Sequence, residues 1–483
     1  MTSERAAGAD VIGQEEPPAR VEEVPRWTMW AIVGSTLLAA ALTIVNLADK
    51  SLWFDEAWAI GTIDRPVGDA LWRLAHWEVN MAPFNLALAG WWRLGQGETF
   101  LRLLPALCAI AAVPALFALG RRLFDAEVAA VAALLLSVHP LVVQWGQQLR
   151  AYSLVILLVI LATTLLLRSV ERPAATGPAV IYAVVAALAT YAHFFGALVV
   201  LAHGLWLLLG RPVPSRLIAV AGATYAVLVA PLGWFLVTRE GDPLYWVSGK
   251  TGSAIVEAAS ALGGGSHWGV AAYAIGGGVG LWGVLEAVRS SPLSAEHRWV
   301  RLLPALWLIV PIGLVVLSNL TVKPLLEGRF LIVVVPALVL LAAVGVVRLG
   351  PRLGALVLIA LVAASALGVR DWYQAPSHED WRAATRLADQ AIGPDEPIVV
   401  EPWGGVFAVR YYEDRLGTGR HPVLRPTAAD PPAGPRYVEI RRQTDAGYLT
   451  PIEPGYRDWR DRYYVKADEQ RVEKLVIRTF ELR

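Results

Sequence analysis

Two adjacent carboxylates, Asp55 and Glu56, carry the strongest chemical signal in this sequence. They follow the first long apolar run, residues 27–47, and aromatic residues flank them on both sides. An ionised pair at the edge of an apolar membrane segment is costly, so we expect it to have a function. General-base catalysis on a lipid-linked substrate fits, because a carboxylate takes the proton from an acceptor hydroxyl as the new bond forms. One acid would act as the base, and the other would bind the acceptor or support the first. An exposed acidic turn is the alternative.

A second group of polar residues, Gln147, Arg150 and Tyr152, lies in a short break between apolar runs. A guanidinium binds phosphate and carboxylate groups in a forked geometry, so Arg150 would contact a donor phosphate or the acid pair. We expect Gln147 and Tyr152 to contact the substrate beside it. The alternative is that Arg150 only extends its charge from the membrane edge into water.

Two cations, Lys323 and Arg329, lie in another short break, and Arg329 directly precedes an apolar run. We predict that Arg329, with Lys323 beside it, holds the phosphate of a lipid-linked donor, because a fixed cation stabilises the charge left on the departing phosphate. Unspecific binding of anionic lipid headgroups is the alternative. His193 and Asn80 are further candidates for substrate contacts. The alternative for His193 is a hydrogen-bonded structural role between its aromatic neighbours, and the alternative for the Asn80 segment is that Pro83 only starts a helix.

The composition points to a membrane protein. Of 483 residues, 56% are hydrophobic and only 17% are charged, and the mean hydropathy is +0.49. Soluble domains carry more charge, and repeated apolar runs of about 20 residues are typical of multi-pass membrane proteins. The net charge of +1 gives no reason to expect nucleic acid as a partner, whereas membrane lipids are expected partners. A single cysteine, Cys108, excludes a disulfide within the chain.

The apolar runs predict a polytopic, all-α membrane bundle of about eleven transmembrane helices. Arginine clusters at 121–122, 168–172 and 348–352 mark cytoplasmic loops, because positive charge concentrates there. The polar residues described above fall in the other set of breaks. The active site and, with an odd number of spans, the C-terminus are therefore expected outside the cytoplasm, at the plasma membrane. The expected spans are 27–47, 101–119, 127–143, 151–168, 178–192, 195–210, 216–237, 269–288, 302–318, 330–347 and 353–370.

The chain divides into three predicted parts. Residues 1–26 are polar and mixed in charge and are expected to form a disordered cytoplasmic tail. Residues 27–370 form the transmembrane catalytic module, in which the outer segment 48–100 carries two amphipathic helices in the membrane interface. Residues 371–483 are charged and rich in proline, and they predict a small extracytoplasmic α/β domain. This domain shows neither a phosphate-binding loop nor a metal-binding spacing.

Together these features resemble the GT-C membrane glycosyltransferases, in the branch of the protein O-mannosyltransferases and the lipid A aminoarabinose transferases. The resemblance covers roughly residues 30–400, and the order and common sidedness of its motifs carry it. These motifs are Asp55-Glu56, the Pro83 segment, Trp91-Trp92-Arg93-Leu94-Gly95, Phe100-Leu101-Arg102-Leu103, Gln147-x-x-Arg150-x-Tyr152, Tyr191-x-His193-Phe194, Lys323-Pro324…Gly328-Arg329-Phe330 and His378-Glu379-Asp380-Trp381-Arg382.

The resemblance implies transfer of a sugar, mannose or a similar one, from a polyprenyl-phosphate donor, with inversion at the anomeric carbon. The acceptor would be a lipid, a glycan or a protein of the cell envelope, and the abundance of Ala, Arg, Gly and Val suggests a bacterial source. Asp55 is then the expected base with Glu56 beside it, and Arg329 is the expected phosphate contact. No cofactor is expected with certainty; a divalent cation near Asp55 and Glu56 stays an open alternative.

A membrane transporter or lipid flippase is the second functional hypothesis, since charges within broken helices would suit it. Against it, the charged residues cluster at the outer edge of the predicted bundle rather than at mid-span, and the two halves show no internal repeat.

Overall fold

A computed structural model describes residues 26–172, 174–210, 214–238, 251–290, 299–416, 421–425, 427, 429, 431–444 and 448–483. Within these ranges the chain is mostly α-helical, with one small β-sheet close to its C-terminal end. The predicted tail lies outside the described residues, apart from Arg26, which begins the first helix.

The helical part of the chain ends at Gln374. A short 3-10 helix, Gly328–Val334, leads directly into the helix that begins at Val335. In chain order the helices are α1 (Arg26–Ile44), α2 (Phe54–Ile63), α3 (Val67–His76), α4 (Ala82–Trp92), α5 (Glu98–Leu123), α6 (Ala126–Val138), α7 (Pro140–Gly146), α8 (Tyr152–Glu171), α9 (Thr176–Ala192), α10 (Gly196–Leu209), α11 (Ser215–Thr238), α12 (Thr251–Leu262), α13 (His267–Ser290), α14 (Leu303–Thr321), α15 (Val335–Arg348) and α16 (Gly350–Gln374).

Every predicted span coincides with a helix or a helix pair of this part. Eight helical segments of the described chain are long and apolar enough to cross a membrane, and α6 with α7 forms a ninth if the bent pair is one span. The bend of 54° falls at Pro140, whose ring removes a backbone donor and opposes a continuous helix. The remaining two, α9 and α10, are apolar but shorter, with 17 and 14 residues. The predicted fold class is therefore confirmed.

The spanning helices differ in how deeply they lie in the bundle. In the segment Gly328–Arg348, 94% of the apolar window is buried, whereas α11 has 11% of its window buried and presents apolar side chains outward. Helices α13 and α15 approach each other closely: a Cβ on Gly280 would lie 1.8 Å from the carbonyl oxygen of Leu341. Contact through small residues is a common way for helices to pack within lipid.

The outer segment folds into three short helices, α2, α3 and α4. Helices lie at both predicted positions, as α3 and α4. Helix α3 is amphipathic and leaves Trp72 exposed while it buries Leu74, whereas α4 is apolar on all sides. Helix α2 is a third helix of this segment, which the sequence analysis does not predict. It begins at Phe54, so that Asp55 and Glu56 lie in its first turn, where the partial positive charge of a helix N-terminus favours carboxylates.

The described residues of the C-terminal part form a five-stranded sheet and three helices. In chain order these elements are α17 (Trp381–Ala391), β1 (Ile398–Glu401), α18 (Gly405–Leu416), β2 (Val423–Leu424), β3 (Arg436–Arg442), α19 (Pro454–Tyr463), β4 (Tyr464–Val472) and β5 (Leu475–Leu482). The strand order is β2-β1-β3-β5-β4; β1 is parallel to β2 and β3, and the β3–β5 and β5–β4 pairs are antiparallel. The predicted α/β character of this part is confirmed.

The C-terminal part packs on the segment that carries the acid pair. The backbone N–H of Leu52 donates to the hydroxyl oxygen of Tyr412 in α18 at 2.8 Å. The backbone N–H of Phe54 donates to Oε2 of Glu379, just before α17, at 2.9 Å. Residues far apart in the chain thus hold the beginning of α2 in place.

Ion pairs identify one end of the bundle. Arg122 pairs with Glu171 at 3.1 Å where α5 and α8 both end, and Arg348 pairs with Glu286 where α13 and α15 end. Arg102, near the start of α5, lies about 30 Å from Arg122 along the helix axis, which is about the thickness of a bilayer core. The outer segment and the C-terminal part lie at the end opposite to these ion pairs.

Candidate active site

Asp55 and Glu56 are neighbours in the first turn of α2, yet their surroundings differ. Glu56 is completely buried, whereas the Asp55 side chain is 31% exposed. Within the described part of the chain, the Asp55 carboxylate accepts no hydrogen bond. One acid is therefore fixed inside the protein, and the other remains available to a substrate.

The Glu56 carboxylate is saturated by hydrogen bonds. Arg102 donates from Nε to Oε1 at 2.9 Å and from Nη2 to Oε2 at 2.6 Å. The backbone N–H groups of Leu149 and Trp53 donate at 2.7 and 3.2 Å. A buried ion pair is stable only when both charges find such partners. The remaining Arg102 N–H groups donate to carbonyl oxygens after α1, those of Leu47, Lys50 and Ser51.

The Asp55 carboxylate faces two guanidinium groups. Its Oδ2 lies 3.8 Å from Nη2 of Arg150 and 4.0 Å from Nη1 of Arg329. Arg150 also donates from Nη1 to the backbone oxygen of Asp55 at 3.2 Å, and Nε of Arg329 lies 3.4 Å from Oε1 of Glu327. At these distances the arginines attract the Asp55 carboxylate without a hydrogen bond that would lock it. The site thus combines an accessible acid with two half-buried cations.

Aromatic side chains form a wall beside the arginines. The ring centroid of Tyr152 lies 4.1 Å from that of Trp145 and 5.3 Å from that of His193. The His193 ring is 5.1 Å from Phe330, and the guanidinium of Arg329 lies 5.6 Å from the same Phe330 ring. Predicted residues from three separate breaks between helices therefore converge on one place.

His193 lies in the turn between α9 and α10 and is buried. Burial, together with the nearby charges of Arg150 and Arg329, lowers the pKa of His193 to about 3. Its Nδ1 accepts a hydrogen bond from the backbone N–H of Phe195 at 3.3 Å. An imidazole with so low a pKa takes up a proton poorly, so a wall or a substrate contact is the role that fits His193.

Asn80 and Lys323 lie at the margin of this group. Oδ1 of Asn80 accepts a hydrogen bond from the backbone N–H of Phe194 at 3.3 Å, which ties the α3–α4 connection to the turn that holds His193. Lys323 follows α14 in the same connection as Arg329. Both remain predictions as substrate or phosphate contacts.

Gln147 is engaged elsewhere. Its Nε2 donates to the carbonyl oxygens of Leu42 and Val45 at 3.3 and 2.8 Å, and its Oε1 accepts from Nε1 of Trp372 at 2.6 Å. These bonds use both amide protons and join the end of α1 to α16. The geometry therefore gives Gln147 a structural role, and its predicted substrate contact finds no support in this arrangement.

Two supporting residues, Arg102 and Glu379, have no role in the sequence-based prediction. Glu379 is buried, and its Oε2 accepts from the N–H of Phe54 and, at 2.7 Å, from Nε1 of Trp381. Burial raises the pKa of Glu379, although the ion pair with Arg442 opposes that rise. Both residues occur in motifs that carry the family resemblance, and these motifs are the sequence signal that could have identified them. Both lie far from the acid pair in the sequence, so their spacing gives no such signal.

The acid pair does not form a shared metal site. A carboxylate offers about four lone-pair positions, and four N–H donors occupy those of Glu56. The Asp55 carboxylate lies beside two arginines, whose charge would repel a metal ion. These two acids therefore do not offer a ligand set for a divalent cation.

A multi-pass helical bundle with a small α/β part packed on one end, beside an acid and two arginines, defines a membrane protein of the GT-C fold. The family model of the dolichyl-phosphate-mannose-protein mannosyltransferases matches residues 83–235. No curated protein matches the sequence. In its fold, and over residues 83–235 in its sequence, this chain is therefore similar to the membrane glycosyltransferases of the GT-C superfamily.

Solved structures agree with this fold along nearly the whole chain. ArnT from Cupriavidus metallidurans bound to undecaprenyl phosphate superimposes with a TM-score of 0.62 at 15% identity, covering 94% of this chain and 98% of ArnT. The apo oligosaccharyltransferase of Archaeoglobus fulgidus gives 0.56 at 12% identity, covering 83% of this chain and 65% of the other. The same archaeon's AglB, in complex with an inhibitory peptide and a dolichol-phosphate, gives 0.51 at 11% identity, covering 83% and 64%.

Proposed function

We propose that this protein transfers a sugar from a polyprenyl-phosphate donor to an acceptor hydroxyl at the extracytoplasmic edge of the membrane, with Asp55 as the general base. One observation carries the proposal: Oδ2 of Asp55 lies 3.8 and 4.0 Å from the guanidinium groups of Arg150 and Arg329. Such a transfer needs a group that accepts a proton and cations that stabilise the leaving phosphate, both within reach of one substrate.

The donor phosphate binds at Arg329 and Arg150. Both side chains approach the site from the ends of different helices, and a guanidinium can bind two phosphate oxygens at once. Likeness to other proteins supports a polyprenyl-phosphate donor, since ArnT was solved with undecaprenyl phosphate and AglB with a dolichol-phosphate. Lys323, in the same connection as Arg329, adds positive charge to this edge.

In the chemical step, the acceptor oxygen attacks the anomeric carbon from the face opposite the phosphate. The new C–O bond forms as the bond between the anomeric carbon and the phosphate oxygen breaks, which inverts the configuration. The acceptor proton passes to the Asp55 carboxylate, and the electron pair of the broken bond leaves on the lipid phosphate. Arg329 and Arg150 stabilise that charge, and their effect is larger where water is sparse.

The other site residues position the reacting groups. Glu56 and Arg102 hold the first turn of α2, so Glu56 supports the base rather than exchanging protons itself. Tyr152 and His193 form the aromatic wall against which the sugar or the first isoprene unit rests. Asn80, whose Oδ1 accepts a hydrogen bond from the backbone N–H of Phe194 next to His193, is assigned to the acceptor.

The site faces outward from the cytoplasm. Its residues lie at the end of the bundle opposite to the ion pairs of Arg122 and Arg348. Clustered arginines mark the cytoplasmic side of a membrane protein, which supports this orientation. The C-terminal α/β part then lies on the extracytoplasmic face as well.

The sugar is proposed to be mannose or a related hexose or pentose. The matched family is described by its dolichyl-phosphate-mannose donor, which supports mannose. The acceptor is a lipid, a glycan or a protein of a bacterial cell envelope; a peptide ligand in AglB is compatible with a protein acceptor.

Asp55→Asn tests the proposal, because asparagine keeps the shape of the side chain but cannot take up the proton. We expect transfer from a radiolabelled polyprenyl-phosphate mannose to fall by about 10²–10⁴-fold. Binding of the donor should remain close to that of the unmodified protein. Asp64→Asn is the matched control, since Asp64 is an exposed aspartate at the other end of α2. Normal turnover by Asp55→Asn would exclude Asp55 as the base.

A further inference from the structure

A second cluster of titratable side chains lies in the C-terminal part. Asp389 in α17, Glu413 in α18 and His421 just before β2 each bring a ligand atom within 4.8 Å of the others. Among the residues that the structure describes, this is the one group of three or more His, Cys, Asp or Glu side chains that meets so closely. We propose that this cluster binds a divalent transition-metal ion, and that Zn²⁺ is the ion its ligands suit best.

The hydrogen bonds of His421 orient its ring as in a metal ligand. Its Nδ1 lies 2.9 Å from the backbone carbonyl oxygen of Glu396, which can only accept, so Nδ1 carries the proton. In the neutral imidazole Nε2 then has a lone pair, and it points at Oδ1 of Asp389 at 3.2 Å. Two acceptors that face each other repel unless a positive charge lies between them. Metal-binding histidines usually donate their other N–H to a carbonyl or carboxylate in this way.

The distance between the ligand atoms of His421 and Asp389 suits a tetrahedral ion. Zn²⁺ lies about 2.0–2.2 Å from nitrogen and oxygen ligands, which sets two of its ligands about 3.4 Å apart. The 3.2 Å between His421 and Asp389 agrees with that distance. The His421 side chain and Glu413 are each only 3% exposed, so an ion bound between them would be largely withdrawn from water.

The ligand types select among ions. One imidazole and two carboxylates suit Zn²⁺ and leave a position for water. Ca²⁺ and Mg²⁺ prefer sets made of oxygen atoms alone, so the nitrogen of His421 disfavours them. The three residues are far apart in the sequence and come from three elements, which is why no metal-binding spacing marks them.

The ion has a structural role in this proposal. Glu413 directly follows Tyr412, whose hydroxyl accepts the hydrogen bond from Leu52 ahead of the acid pair. Asp389 lies on α17, the helix that begins beside Glu379. By joining α17, α18 and the residue before β2, the ion stabilises the two helices against which the active-site segment packs.

The test uses the full chain, purified in detergent with an affinity tag other than polyhistidine and stripped of metal with a chelator. We expect it to bind one equivalent of Zn²⁺ in the presence of excess Mg²⁺. The midpoint of thermal unfolding should rise with the concentration of free Zn²⁺, as for any ligand of the native state. Co²⁺ in place of Zn²⁺ should give the visible absorption of a tetrahedral site.

Variants locate the site. His421→Ala, Asp389→Asn and Glu413→Gln should each weaken Zn²⁺ binding by at least about 100-fold. Asp414→Asn is the control, because Asp414 is exposed beside Glu413 in the same helix, and it should bind Zn²⁺ normally. The wild-type chain is stripped and reloaded without any substitution, so a variant that fails to fold does not decide the outcome.

Three results would overturn the proposal. The first is a wild-type chain that takes up no stoichiometric Zn²⁺, and the second is unchanged affinity in all three ligand variants. The third is a stability that depends on pH and on His421 but not on Zn²⁺. In that case His421 is an imidazolium that pairs with the two carboxylates, and no metal is needed.

Discussion

Arg150 and Arg329 reach the same oxygen of Asp55 from two different helix ends. Arginine suits this place better than lysine, because its planar fork can bind two oxygens of a phosphate and remains charged when partly buried. Glu56, one residue away from Asp55, points inward to Arg102 instead. Two adjacent carboxylates therefore have different surroundings, since consecutive residues of a helix point in different directions.

Arg329→Ala should weaken donor binding by about tenfold or more, because one hydrogen bond to a charged group contributes about 1.5–3 kcal/mol. Transfer should also slow, since the leaving phosphate loses a stabilising charge. Arg329→Lys should recover part of both. Affinity for a polyprenyl-phosphate sugar, measured with the purified protein, checks this expectation.

Arg370→Ala is the control for that experiment, because Arg370 is an exposed arginine that pairs with its neighbour Asp371 at the same end of the bundle. If Arg329→Ala binds the donor as tightly as the wild type does, the phosphate contact is misassigned. Arg150 and Lys323 would then be the better candidates.

At the scale of elements, the site depends on the short helix α2. Its first turn is held from inside by Arg102 of α5, from the α7–α8 turn by the N–H of Leu149, and from the C-terminal part by Glu379. The buried ion pair is fully hydrogen-bonded, so removing one partner leaves a charge that nothing compensates.

Arg102→Met alone should destabilise the protein by about 3–5 kcal/mol, because it leaves the Glu56 carboxylate buried without its cation. The double variant Glu56→Gln with Arg102→Met should lose less, since no buried charge remains. Thermal unfolding of the two variants beside Glu56→Gln alone measures the difference. Equal midpoints for Arg102→Met and the wild type would mean that the pair does not stabilise the fold.

The spanning helices and the contacts around α2 also show what the sequence can and cannot predict. The spanning helices are visible because apolar runs of sufficient length are a local signal, and Asp55 is visible because an acid beside such a run is unusual. The supporting roles of Arg102 and Glu379 cannot be recognised in the sequence, since their contacts join residues far apart in the chain. Gln147 shows the opposite case: its position in a polar break suggests a substrate contact, but its amide bonds to the backbone of α1.

At the scale of the whole molecule, the bundle has two chemically different ends. The ion pairs of Arg122 and Arg348 mark one, and the acid pair with the C-terminal part marks the other. The proposed chemistry requires the second end to face away from the cytoplasm, because both lipid-linked donor and envelope acceptor are expected there.

Cysteine labelling tests this orientation. A cysteine in place of Asp458, an exposed residue of α19, should react with a membrane-impermeant maleimide in intact cells, with Cys108 replaced by alanine beforehand. A cysteine in place of the exposed Arg352, at the start of α16, should react only after the cells are permeabilised. The reverse pattern would turn the site towards the cytoplasm and contradict the proposed function.

The hydrogen bond from Phe54 to Glu379 also bears on when, during synthesis of the chain, the site can be completed. The two residues are 325 positions apart, which corresponds to roughly 16–65 s of synthesis at about 5–20 residues per second. During that interval the first turn of α2 lacks an acceptor for one of its backbone N–H groups, and Tyr412 follows later still. A ribosome-bound chain can therefore insert its first spans long before Asp55, the proposed base, is held in place. The completed site is available only to a chain whose C-terminal part has been synthesised and has docked.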